Sequence, residues 1–199
     1  MAQWEVGDAG LLPQSRECLV DDVLAIASEF PNLVLVLNHL SGQADGTEQE
    51  QVAWRAKIAK LASCPNAFAK VGGAGMPDRG YNLSDRAVPV GSEELAQMAT
   101  LPYYGYVIDT FGPERCMFES NCKCKCTQRR GASVRLSPGL LSDTVPVDKQ
   151  SFSYTVCWNA FKRLAKAKGL DEQAKAALYG GTATRVYRLE PRGGGGGRL

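Results

Sequence analysis

Short apolar runs alternating with segments of helical period predict an α/β protein built on a parallel sheet. Two observations carry this prediction. Leu33-Val34-Leu35-Val36-Leu37 is an unbroken apolar run too short for a helix, as in strands buried on both faces. Ala67-Phe68-Ala69-Lys70-Val71 and Cys116-Met117-Phe118 read as further short strands, each reached through a stretch with helical spacing.

The elements follow in order. Leu19, Val20, Val23, Leu24, Ala27 and Phe30 fall at helical spacing over 18–30, and Pro31 ends that helix. After the first strand, Thr47 and Glu50 form a capping box for a helix that runs to Ala62. A Gly/Pro-rich loop spans 72–91 behind the second strand. Ser92 caps a helix containing Leu95 and Met98, which Pro102 breaks, and a further helical piece reaches Phe111. Gly112-Pro113 is a turn into the third strand. From Ser151 a helix carries Phe152, Val156, Ala160, Phe161 and Leu164 and ends at Gly169. Asp171 starts another that stops at Gly180-Gly181, and residues 191–199 form a flexible Gly-rich tail. No internal repeat exists beyond this alternation.

Composition narrows the function classes. The 199 residues are 44% hydrophobic and 22% charged, ordinary for one soluble globular domain. A net charge of +2 does not mark a nucleic-acid partner, and none is expected. No apolar run approaches the roughly 20 residues that span a bilayer, and the N-terminus has no signal-peptide pattern. Seven cysteines, four of them scattered in apolar surroundings, suit reduced thiols and a cytoplasmic location. His39 is the one histidine, so a site built on several imidazoles cannot arise within this chain alone.

Residues 122–145 break the pattern. Cys122, Cys124 and Cys126 lead into Gln128-Arg129-Arg130-Gly131, and the segment has five basic residues, one acidic residue and no aromatic ring. Such a composition has little to bury, so an exposed and disordered insertion is expected. The thiols could bind zinc or copper(I), but they lack the second half of a paired four-ligand cluster.

Three stretches then resemble the amidohydrolase-related family, the branch with lactonase-like enzymes. Phe30-Pro31-Asn32 through Asn38-His39-Leu40 is similar to a family strand that ends in histidine. Cys64-Pro65-Asn66 through Lys70-Val71-Gly72-Gly73, with Gly75-Met76-Pro77, resembles a second strand and its loop. Phe111-Gly112-Pro113-Glu114-Arg115 through Glu119-Ser120-Asn121 resembles the last barrel strand, in the variant continuing Phe-Pro-Val-Asp. Arg185-Val186-Tyr187-Arg188-Leu189 is similar to the closing pattern, with Thr182 where that pattern has asparagine.

The resemblance implies a partial (β/α)8 TIM barrel, its last three or four βα units, over residues 1–190 with 122–145 as an interruption. A whole barrel takes about 250 residues, and the family's first-strand His-x-His has no counterpart here. Pro146-Val147-Asp148 appears only after the insertion, which suits a retained intron or wrong gene model, or else a lineage-specific loop.

Barrel active sites gather at the C-terminal ends of strands. The resemblance makes His39 a catalytic residue or the ligand of a divalent metal, zinc or manganese; a structural histidine on a backbone carbonyl is the plainer alternative. Asn121 stands where metal-dependent relatives have an aspartate and cannot act as a base, though it can orient water or substrate. Asp148 could supply a carboxylate, or serve only as a helix N-terminal charge. Lys70, Met76 and Arg79 are candidates for substrate binding; Lys70 could equally pair with an acid, and the loop could be plain surface. The expected activity is hydrolysis of a lactone or other C–O/C–N bond of a small carboxylated molecule. The metal requirement and oligomeric state stay open, with association through exposed barrel edges one expectation. The alternative is a non-catalytic fragment or mis-spliced product without activity.

Overall fold

The computed structural model describes residues 3–6, 15–41, 47–76, 81–120 and 151–189. Four strands, β1 (Gln3–Val6), β2 (Val34–Leu37), β3 (Ala67–Val71) and β4 (Cys116–Phe118), form one sheet in sequential order. All three pairings are parallel, with Glu5 opposite Val36, Leu37 opposite Ala69, and Val71 opposite Phe118. Sequential parallel order requires a crossover after every strand. Helices α1 (Ser15–Glu29) and α2 (Glu48–Ala62) supply the first two. The third holds α3 (Ser92–Leu95), a π-helical stretch (Ala96–Tyr104) and α4 (Gly105–Phe111). After β4 come α5 (Tyr154–Ala167), α6 (Glu172–Ala176), a second π-helical stretch (Ala177–Gly181) and α7 (Thr182–Val186). This is an α/β fold with the parallel sheet the sequence predicts. Residues 122–145, expected to be an exposed insertion, lie outside the described residues, as does the tail 191–199.

Strand alternation sorts the core into two parts. Leu35, Leu37, Ala67, Ala69, Val71, Cys116 and Phe118 face the crossover helices and meet Ile58, Leu61, Val107, Ile108, Phe161 and Leu164. Val36 and Met117 face the other way, where α7 covers them with Val186, and Phe68 and Tyr187 pack alongside. Thr182 anchors α7 by donating to the carbonyls of Glu114 (3.2 Å) and Pro113 (3.4 Å), just before β4 begins. The last helix therefore reaches the sheet from its N-terminal end. That leaves the strands' C-terminal ends to the loops.

Five local expectations change, the first being the Ser92 cap: Ser92 is the first residue of α3, and Gly91 holds the cap position without a side-chain bond. β1 was not foreseen. Phe30, placed on the buried stripe by its spacing, is 51% exposed, because α1 stops at Glu29 and the chain turns at Pro31. Pro102 does not break its helix. Proline clashes with the carbonyl four residues back in an α-helix. Here the turns widen instead, with the Gly105 amide reaching Thr100, five residues back. Nor does the chain stop at Gly180-Gly181; it kinks at Gly180 and continues into α7. The capping box does form. Thr47 Oγ1 accepts from the Glu50 amide, and the Thr47 amide donates to Glu50 Oε2 at 2.7 Å, which lowers the Glu50 carboxyl below its ordinary pKa.

Two motif residues act as clamps between elements. Asn66 Nδ2 donates to the carbonyls of Ala27 (3.3 Å), Phe30 (3.2 Å) and Leu33 (2.8 Å), tying the end of α1 and the entry of β2 to the start of β3. Arg115 spreads its guanidinium over the carbonyls of Ala62 (2.9 Å), Cys64 (2.9 Å) and Phe111 (3.0 Å). Among the carbonyls they bond are those of Ala27, Ala62 and Phe111, in the last turns of helices, where the helix itself supplies no partner. Asn66→Ala is expected to lower stability by about 1–3 kcal/mol, the cost of stranding buried polar groups. A urea midpoint unchanged from wild type would show that the clamp is idle.

Candidate functional site

The C-terminal ends of β2, β3 and β4 bring the first residues of three connections together. After β2 the chain enters a 3-10 turn, Asn38–Ser41, in which His39 has φ +49°. That left-handed conformation is uncommon outside glycine, and strained residues of this kind cluster at functional sites. After β3 come Gly72 and Gly73. After β4 comes Glu119, whose amide extends the ladder by donating to the Val71 carbonyl at 3.1 Å.

The two glycines explain how the outer loops meet. A Cβ on Gly72 would overlap the carbonyl oxygen and Cγ of Glu119 and lie 3.1 Å from its carbonyl carbon. A Cβ on Gly73, which has φ +87°, would lie 3.1 Å from both Cβ and Nδ1 of His39. Only a bare backbone fits between these side chains. Across it, His39 Nδ1 and Glu119 Oε1 are 2.6 Å apart, with the side chains 19% and 17% exposed. This is a partly shielded imidazole–carboxylate pair, able to hold or move a proton. Behind the glycines, Leu95, Thr100, Tyr104, Phe152, Cys157 and Phe161 leave room for about one water.

The remaining candidates are placed as follows. Met76 donates its amide to the Gly73 carbonyl at 3.0 Å, closing a turn. The neighbouring Gly75 carbonyl accepts from buried Ser151 Oγ at 2.7 Å, which ties this loop to the chain before α5. The later part of the 72–91 loop is not plain surface either, since Leu83 and Val90 are buried. Lys70 lies on the sheet face shared with Phe68, its Nζ 5.4 Å from the Tyr187 ring centre. Arg79, Asn121 and Asp148 lie outside the described residues, as do Cys122, Cys124 and Cys126. Glu119 is the side chain that sequence reasoning missed. The family pattern points instead to Asn121, two residues on, where metal-dependent relatives have an aspartate. The usable signal was an acid directly after a buried strand run, since parallel strands end at one rim.

Among the described residues, no three of His, Cys, Asp and Glu gather as metal ligands. The rim offers one imidazole and one carboxylate, and the carboxylate is turned on the imidazole. A catalytic zinc usually has three protein ligands. The described donors do not make up a zinc or manganese site.

A sequential parallel sheet, helical crossovers, and a polar pair where three strands end define an α/β protein with the layout of a barrel sector and its rim. Residues 16–189 match the sequence profile of the amidohydrolase family, and the chain belongs to that family. Protein y4mH of Sinorhizobium fredii, uncharacterized, is 28% identical over 170 residues, which are 85% of this chain and 44% of that one. An amidohydrolase from Burkholderia multivorans, crystallised with bound zinc, superposes with TM-score 0.63 at 24% identity, covering 94% of this chain and 53% of that one. A second crystal form of it, with bound HEPES, gives 0.62 at 23% identity with the same coverage. The chain thus spans about half the length of these relatives. At such identity the solved structures speak to the fold. No helix among the described residues is long and apolar enough to cross a membrane.

Proposed function

We propose that this chain carries the last βα units of a (β/α)8 barrel, together with half of a hydrolase site. The reaction is cleavage of a lactone or related C–O/C–N bond in a small carboxylated molecule. The observation that carries this reading is the His39–Glu119 pair, held at 2.6 Å across Gly72-Gly73 where strands β2 to β4 end. His39 acts at the scissile group, and Lys70 supplies a cation for the substrate carboxylate. Asn121, two residues beyond Glu119, orients water or substrate. Among the described residues the rim holds one imidazole and one carboxylate, less than the usual complement for fast hydrolysis.

The test is turnover. Residues 1–199, a version lacking 122–145, and His39→Ala are assayed on carboxylated lactones and related esters. Zinc bound in the Burkholderia protein is the reason to include arms with and without zinc or manganese. Hydrolysis is expected at least about 100-fold below an ordinary kcat of ~10 s⁻¹, and lost in His39→Ala. Turnover at ordinary enzyme rates would contradict the half-site reading. Turnover indifferent to His39→Ala would remove His39 from the chemistry.

A further inference from the structure

We infer that the groove between α5 and α6 is a second ligand site, which takes a small organic dicarboxylate with a flat hydrocarbon body. The groove has a volume of about 710 Å³, within the range of small-molecule sites. It shares no residue with the rim of β2, β3 and β4.

Charge is the first argument. Lys162 and Lys166, one turn apart on α5, line the groove together with Lys175 of α6. Among the described residues no acidic side chain lines it. Like charges one turn apart on a helix repel. Neighbouring cations are matched by acids: Arg163 pairs with Glu93, Lys168 reaches Asp109 at 2.7 Å, and Arg185 lies 3.7 Å from Glu114. Among the described residues Lys162 and Lys166 have no such carboxylate. The helix dipole favours a cation in the last turn, which accounts for Lys166 but not for Lys162, a turn earlier. Lys175 is held by Glu172 at 2.9 Å, a surface pair that a bound charge displaces at little cost.

The rest of the lining supplies the second argument. Ala165 is buried, and Leu170 and Tyr179 are half-buried. Tyr179 is fixed in place, stacked on Trp158 with centroids 5.8 Å apart and edge-on to Phe118 of β4 at 5.2 Å. Burial raises its phenol above the ordinary pKa, so the hydroxyl keeps its proton and can donate to an oxygen. An inorganic anion gains nothing from apolar walls, whereas a hydrocarbon ring does. Lysines contributed by two helices call for a carboxylate at each end of that ring.

The test is equilibrium dialysis of the 199-residue chain against labelled terephthalate, a benzene ring with opposed carboxylates. Saturable binding of one molecule per chain is expected. Lys162→Ala and Lys166→Ala are each expected to weaken it about tenfold, the loss of one charged hydrogen bond. Both residues are exposed on a helix, where alanine is the best helix former, so the variants keep the fold. Lys60→Ala, at an exposed position of α2, is the control and is expected to change nothing. Benzoate and inorganic phosphate are expected to bind at least about tenfold less tightly than terephthalate. No saturable binding at millimolar terephthalate would overturn the inference. So would an affinity that both α5 variants leave unchanged, or that Lys60→Ala lowers equally. Phosphate held as tightly as terephthalate would mean that the apolar walls contribute nothing, and the dicarboxylate assignment would fall. Tighter binding of a polyglutamate peptide would give the groove to an acidic chain segment and overturn the small-molecule assignment.

Discussion

Phe161→Ala is expected to destabilise the protein by about 3–5 kcal/mol, the usual cost of emptying an aromatic site in a packed core. Phe161 is 1% exposed and lies where three layers meet. Its ring stacks on Phe118 of β4, with centroids 4.3 Å apart and planes within 8°. Trp158 meets it edge-on at 5.5 Å and Tyr104 lies at 6.1 Å. The neighbours cannot close the gap easily. Phe118 is held in the sheet, and Trp158 is itself packed on Tyr179. The loss adds aromatic contacts, worth about 0.5–1.5 kcal/mol per pair, to the cavity cost. Chemical denaturation reads it directly. A change under about 1 kcal/mol would mean that α5 packs on the sheet far less tightly than these contacts require.

Gly72→Ala is the second large effect, and it acts on site and stability together. The added methyl would overlap both the carbonyl oxygen and Cγ of Glu119. Neither can move cheaply, because the Glu119 amide is bonded to the Val71 carbonyl in the β3–β4 ladder. Overpacking of this kind costs about 1–3 kcal/mol. Relief requires Glu119 to swing away, which breaks its contact with His39. A displacement of about 1 Å at a reacting group can cost ~100-fold in rate. Gly91→Ala is the control, since nothing lies within 4 Å of its added Cβ and its φ is −83°. The expected result is a lowered urea midpoint for Gly72→Ala alone. Equal behaviour of the two variants would mean that Gly72 does not space the pair.

The sheet was legible because its strands are written in a local code. Val34 to Leu37, Ala67 to Val71 and Cys116 to Phe118 are apolar runs that only a covered parallel sheet accommodates. The capping box at Thr47 and Glu50 was equally local. What escaped depends on partners distant in sequence. β1 is paired to β2 across the α1 crossover, and nothing within Gln3–Val6 announces that pairing. Pro102 and Gly180 are helix breakers by local rule, and helix packing overrides both with wider or kinked turns. The site was half legible. His39 stood out as the single histidine behind a strand. Glu119 did not, because its role comes from lying beside His39, a residue 80 positions earlier, and only the folded sheet brings them together.

The most direct test of the account is to follow the ring signals of His39 while a carboxylated lactone is added to the 199-residue chain. The account predicts saturable shifts. They should weaken about tenfold or more when the ligand's carboxylate is methylated or Lys70 is replaced by alanine, the loss of one charged contact. A lactone that binds the protein while the His39 signals stay still would contradict it, because the rim of β2, β3 and β4 would then not be where this chain meets its substrate.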